Sequence, residues 1–193
     1  MKNRNTFKTA LPLFGLSLIN GGISSVNAVI QSMADELGIS LSLARMVSTL
    51  PSVIVMFVTM IAGRLVERKL TYKQIIFTGI TLFLLGGISP VFIDNIYVIL
   101  ALRTLFGIGL GCFGILSSLY LRTFQDDQEI SAKMVGYSWT ITSIGAIAMK
   151  FAAGVLGDIN WHYAFIPYSL GLVSLTALLF GFREPRYTVN TEV

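Results

Sequence analysis

The apolar residues of this 193-residue chain come in blocks of about twenty rather than in amphipathic stripes, and few folds can accommodate that arrangement. A helix needs about twenty residues to cross the ~30 Å hydrocarbon core of a bilayer. Six blocks meet that length, at 10–33, 43–62, 74–92, 97–121, 134–156 and 164–182. The other structure that can span lipid is a closed barrel, which needs short alternating segments that this sequence lacks. Only 12% of the residues are charged against 54% hydrophobic, about half the charge of an ordinary soluble domain. The expected fold is therefore all-α: a polytopic helical membrane protein in which residues 1–193 form one six-span domain. Lys2, Arg4 and Lys8 resemble the start of a signal peptide, but no small-residue cleavage site followed by a soluble domain appears. The first block is thus expected to remain as a span.

Basic residues set the direction of the chain. Lys2, Arg4, Lys8, Arg64, Arg68, Lys69, Lys73, Arg122, Lys133, Arg183 and Arg186 all fall on one side of a six-span layout. Arg45, near the start of the second span, stands alone on the other. Lys and Arg in short loops stay cytoplasmic, so both termini are expected there, in a bacterial cytoplasmic membrane. The net charge of +4 is explained by this placement and does not call for nucleic acid.

Chemistry-bearing side chains are sparse. Cys112 is the only cysteine, and no grouping of His, Cys, Asp and Glu has metal-ligand spacing. Neither a disulfide framework nor a metal nor a cofactor is expected. No Gly-Lys-Ser/Thr phosphate loop and no nucleophile triad occurs, so the sequence assigns no catalytic residue and the chain is not expected to be an enzyme. Paired Asn-Pro-Ala loops and a Thr-Val-Gly-Tyr-Gly filter are also missing, which argues against a channel.

What remains are polar groups inside the spans. Asn20, Ser24, Asn27 and Gln31 recur at i, i+4, i+7 and i+11, which is one narrow stripe on a continuous α-helix. Such a stripe faces other helices or a water-filled path; interhelical hydrogen bonding and solute contact are both open. Arg103 lies about six residues inside the fourth span, where a charge usually faces a cavity or a partner. Lys150, in the fifth span, reaches a similar depth because the two spans run in opposite directions. It shares a helix face with Trp139 and Ser143. In one shared cavity the two cations would favour an anion; on different surfaces Lys150 would snorkel. No Asp or Glu falls inside any span.

Between the second and third spans, Gly63, Leu65, Glu67 and Arg68, followed by Lys73, resemble the loop signature of the major facilitator superfamily. That signature runs glycine, three residues, an acid, a base, then glycine and further bases. Leu70 stands at the second glycine and Tyr72 at a usually basic place. The fourth-span stretch LRTLFGIGLGCFG is similar to the family's arginine followed by spaced glycines, with Arg103, Gly107, Gly109 and Gly111 in place and Phe106 where glutamine is common. In the fifth span Gly145 and Gly154 resemble the family's glycine-proline span, with Ala146 at the proline. Trp161, His162 and Phe165 resemble the turn that follows it.

The resemblance implies a six-helix half of that fold, built as a three-plus-three inverted repeat. The chain stops at REPRYTVNTEV, where the linker between halves is expected, so the implied half is the amino-terminal one and the carboxy-terminal half is absent. The implied function is that of a secondary active transporter moving a small solute across the cytoplasmic membrane by alternating access. Asn20, Ser24, Asn27, Gln31, Arg103 and Lys150 are the substrate-path candidates, and the solute is anionic if the two cations share a cavity. Gly63, Glu67, Arg68 and Lys73 are the implied conformational-gating loop. Gly107, Gly109, Gly111, Gly145 and Gly154 are the implied helix-packing glycines. The expected partners are the solute, the lipid bilayer, and a second six-span half or a homodimer partner. The competing expectation is a truncated membrane protein that does not transport, either inert or modulating a full-length carrier.

Overall fold

Backbone groups have no water to bond in lipid, so each apolar block must satisfy its own hydrogen bonds by forming helix. The computed structural model describes residues 14–15, 17–68, 72–123 and 128–181, and no strand occurs among them. A 3₁₀ segment, Gly21–Val29, leads into α1 (Ile30–Leu37), and α2 (Leu41–Arg68) and α3 (Tyr72–Ile88) follow. A 3₁₀ turn at Ser89–Phe92 ends the third block; then come α4 (Ile96–Thr123) and α5 (Gln128–Gly157). A second long 3₁₀ segment, Trp161–Ser169, precedes α6 (Leu170–Gly181). Three stretches are long and apolar enough to cross a membrane: Leu41–Ala62, Gln74–Phe92 and Ala132–Gly157. α4 adds a shorter described apolar stretch, Ile96–Cys112.

The first and sixth blocks depart from the expected continuous α-helix. Gly21 lies so close to α5 that a Cβ there would sit 2.5 Å from the Ala146 Cβ and 2.7 Å from the Thr142 carbonyl oxygen. The next residue, Gly22, has its carbonyl engaged by the Tyr168 hydroxyl, which donates to it over 2.9 Å. A carbonyl bonded from outside its own helix competes with the α-helical ladder, and here the chain tightens into a 3₁₀ path. In the sixth block Pro167 has no N–H to donate and disfavours α geometry in the residue before it, and the 3₁₀ segment runs through it.

α2 and α3 both pack along α4, while α5 packs along the 3₁₀ segment Gly21–Val29. The segment Trp161–Ser169 joins these groups by touching α5, α3, the Ser89–Phe92 turn and Gly21–Val29. α4 and α5 barely meet. The α2–α4 and α3–α4 seams need residues without side chains. A Cβ at Gly109 would lie 2.5 Å from the Gly79 carbonyl oxygen and 2.6 Å from the Phe83 amide nitrogen of α3. On the other seam, a Cβ at Gly111 would lie 2.6 Å from the Val58 Cβ of α2. Thr59 donates its hydroxyl to the Gly111 carbonyl over 3.1 Å across that seam. The core draws on every group, with Ile19, Val26, Met33, Ile80, Phe83, Ile99, Phe106, Met149, Trp161 and Phe165 all buried.

Candidate functional site

Local sequence turns the chain back between the first and second apolar blocks. Gly38 ends α1 at φ 63°, a left-handed conformation that suits glycine, and its amide donates to the Ala34 carbonyl. Ile39 donates to the same carbonyl over 3.0 Å. Ser40 then caps α2, its Oγ accepting from the Leu43 amide. With the chain reversed so tightly, α1 and the start of α2 enclose an open cleft of about 350 Å³. Asn27, Gln31, Arg45, Ser48 and Thr49 supply its polar lining, and Ile30 and Leu41 the apolar part.

Inside the cleft the polar groups are partly committed. Gln31 Nε2 donates to Asp35 Oδ1 over 3.0 Å. Ser48 and Thr49 both donate their hydroxyls to the Arg45 carbonyl, each over 3.2 Å. The Arg45 guanidinium has no hydrogen bond or ion pair among the described residues. Of the four polar residues expected to form a stripe, only Asn27 and Gln31 reach this cleft. Asn20 is exposed and Ser24 half-buried. The tighter 3₁₀ path between them, with about three residues per turn, does not keep an i, i+4, i+7 series on one line.

Arg103 occupies a different environment. It is fully buried, at 0% exposure. Its guanidinium carbon lies 4.8 Å from the Phe106 ring centroid and 4.7 Å from those of Phe165 and Tyr168. Nε, Nη1 and Nη2 find no hydrogen-bond partner among the described residues. The rings are themselves braced: Phe83 and Phe106 are 4.9 Å apart, and Phe106 meets Tyr168 edge-on at 5.0 Å. Arg103 therefore ties α4 to the Trp161–Ser169 segment, and through the Tyr168 hydroxyl to the first span.

Lys150 does not join it. Lys150 is exposed on α5, as are Trp139 and Ser143 on the same helix, whereas Arg103 is enclosed. α4 and α5 hardly touch, and the two cations lie apart, one enclosed and the other exposed on a separate helix. Of the expected packing glycines, Gly107, Gly109, Gly111 and Gly145 lie against neighbouring helices, Gly107 against Pro51 of α2 and Gly145 against the Leu18 carbonyl of the first span. Gly154 faces open space: a Cβ there would meet nothing within 4 Å. Gly63, Glu67 and Arg68 end α2 and Lys73 follows in α3; their side chains lie outside the described residues.

Two features escaped the sequence. Arg45 reads there as a lone charge at a span end, yet Arg45, Ser48 and Thr49 fall at i, i+3 and i+4 on one face of α2, opposite Asn27 and Gln31. That spacing across the Gly38 turn was the available signal. The second is the set of contacts made by His162, which stacks on Trp161 with centroids 3.6 Å apart. Its Nε2 lies 2.9 Å from Asp94 Oδ1, joining the link before α4 to the Trp161–Ser169 segment.

A helical bundle with long apolar spans, close glycine seams and a polar cleft between spans is what a solute carrier needs. The sequence profile of the Major Facilitator Superfamily matches residues 13–192. No curated protein matches the chain. With nearly its whole length covered by that profile, the chain belongs to the Major Facilitator Superfamily.

Proposed function

We propose that the chain acts as one six-span half of a secondary active transporter, moving a small solute across the cytoplasmic membrane by alternating access, with both termini in the cytoplasm. The observation that carries this reading is the open cleft between the first span and α2, where Asn27 and Gln31 meet Arg45, Ser48 and Thr49 in a largely apolar bundle. Polar groups are costly in lipid unless they meet partners or water, and a cleft supplies water and room for a solute.

Two further observations support the wider arrangement. The second span packs on the fourth and the third on the fourth; the fifth packs on the first, and the sixth meets the first through Tyr168–Gly22 and Ser174–Gly15. Exchanging spans one to three for four to six turns each of these pairs into another, as a three-plus-three inverted repeat requires. The second and fifth spans are also the least covered: 17% of the α2 apolar window and 22% of the α5 window are buried, against 44% for α3. Large apolar residues crowd these faces, Val53, Met56 and Phe57 on α2 and Ile147, Phe151 and Val155 on α5. A second six-span unit, fused or separate, fits there.

Uptake into proteoliposomes tests the proposal, with the chain alone, as linked tandem copies, and co-reconstituted with a second six-span half. Uptake in an assembled form but not by the isolated chain supports a half-carrier. Absence of uptake in every form, with the protein folded and inserted, would instead favour the truncated, non-transporting reading. Cysteines placed in the Gly38 turn and at the amino terminus, probed from each side of the membrane, test the orientation.

A further inference from the structure

We propose that the cleft between α1 and α2 is a binding site for a small carboxylate that carries its own hydroxyl or amine donors, with Arg45 as the group that holds the carboxylate. This deepens the transporter reading and rests on it for the purpose of the site, although binding itself can be measured without transport.

Charge comes first. Arg45 is the one charged side chain in the lining, and its guanidinium is unengaged among the described residues. Asp35, on the neighbouring turn of α1, is outside the lining and accepts from Gln31 Nε2. Arg45 thus supplies the only charge in the cleft's lining, with Asp35 held behind Gln31, and the planar fork of a guanidinium matches a carboxylate through two parallel hydrogen bonds. The alternative anion attractor, Arg103 with Lys150, fails on geometry, since one is enclosed by aromatic rings and the other is exposed on a separate helix.

The remaining polar groups narrow the chemistry. Ser48 and Thr49 spend their only hydroxyl protons on the Arg45 carbonyl, so toward the cleft they present lone pairs. Gln31 uses one of its two amide protons on Asp35, which leaves its carbonyl oxygen as an acceptor and one further N–H. Asn27 can act in either sense. The lining thus combines one cationic fork with at least three acceptors, and a bare anion such as chloride or a simple alkyl carboxylate displaces water from those oxygens without replacing its hydrogen bonds. A hydroxy acid or an amino acid satisfies both halves of the site. At about 350 Å³ the cleft lies at the small end of ligand-binding pockets, which suits a solute of that size.

The test uses the full chain in lipid nanodiscs and saturation-transfer NMR, which reads millimolar binding, with lactate, alanine, propionate, lactamide, inorganic phosphate and chloride as probes. Lactate or alanine should bind saturably, and propionate, lactamide and chloride should bind about tenfold more weakly or not at all. Which of lactate and alanine binds identifies the donor as hydroxyl or amine. Arg45→Gln should weaken binding about tenfold or more, and Arg45→Lys should restore part of it. Lys133→Gln, which removes a cation on α5 outside the lining, should change nothing. Arg45 is exposed, so these variants should keep the wild-type circular dichroism and elution profile. The proposal is overturned if no carboxylate binds, if propionate or phosphate binds as well as lactate and alanine, or if Arg45→Gln binds normally. Arg45-dependent binding without uptake in any assembly would refute transport and leave this site standing; uptake with Arg45-independent binding would refute the site alone.

Discussion

Replacing Arg103 with Met should leave the fold as stable as before, or make it more stable, while removing transport. The guanidinium faces three aromatic rings at 4.7 to 4.8 Å. A desolvated cation–π contact contributes about 2 kcal/mol, so the three rings together supply on the order of 6 kcal/mol. Against this stands the burial of a full charge, several kcal/mol even after relaxation, with about 1–3 kcal/mol more for a buried donor left unpaired. Nε, Nη1 and Nη2 are all in that condition among the described residues. The cost equals or exceeds the gain. A methionine keeps an unbranched stem in the same space, and its sulfur gains about 0.3–1.5 kcal/mol from each well-placed ring. The expected change runs from zero to ~3 kcal/mol of stabilisation, in line with other buried charges replaced by packed apolar groups. Arg103→Ala, in contrast, leaves a void among Phe106, Phe165 and Tyr168 and should cost about 2–5 kcal/mol. Thermal unfolding in nanodiscs, followed by circular dichroism, separates the two variants, and uptake by the assembled carrier is measured alongside. A Met variant destabilised by more than ~2 kcal/mol would refute the reasoning, because it would mean the guanidinium makes bonds worth more than its desolvation. A stable Met variant with normal uptake would leave Arg103 no role in the transport cycle.

Other consequences can be tested in the same assays. Gly109→Ala should cost about 1–3 kcal/mol, because the added methyl meets the backbone of Gly79 and Phe83, whereas Gly154→Ala, facing open space in a helix, should be neutral or stabilising by about 0.4–1 kcal/mol. Equal effects at the two sites would show that the α3–α4 seam is looser than described. Tyr168→Phe removes the hydroxyl that bonds Gly22 and should cost about 1–3 kcal/mol by leaving that carbonyl unpaired, with faster amide exchange across Gly21–Val29. Unchanged exchange there would mean that the bond does not hold the 3₁₀ path. Glu67→Gln or Arg68→Ala should slow uptake by the assembled carrier without changing which solute is taken; an altered solute range at an unchanged rate would remove the gating role proposed for this loop.

Block length alone dictated helices and a membrane, because lipid offers a backbone no partners and only helices or closed barrels satisfy every amide. The Gly38–Ser40 turn was equally local, since a left-handed glycine and a serine cap act through neighbours a few residues away. The spacing of Gly107, Gly109 and Gly111 in α4 is visible in the sequence, and in the structure these glycines lie against α2 and α3. Tertiary structure decided the rest. Depth along a span can be counted from its ends, but rotation about the helix axis cannot, so Arg103 and Lys150, expected at similar depth, face different surroundings. The ring cage draws on Phe165 and Tyr168, from the far end of the chain, and no periodicity within one helix could announce them. The same distance hides the bond from Tyr168 to Gly22, 146 positions apart, which helps turn an expected α-helix into a 3₁₀ segment and moves Asn20 and Ser24 off the line of Asn27 and Gln31. Local rules thus determined which segments are helical, and long-range contacts determined which of their polar side chains share a space, because only packing sets how each helix is turned.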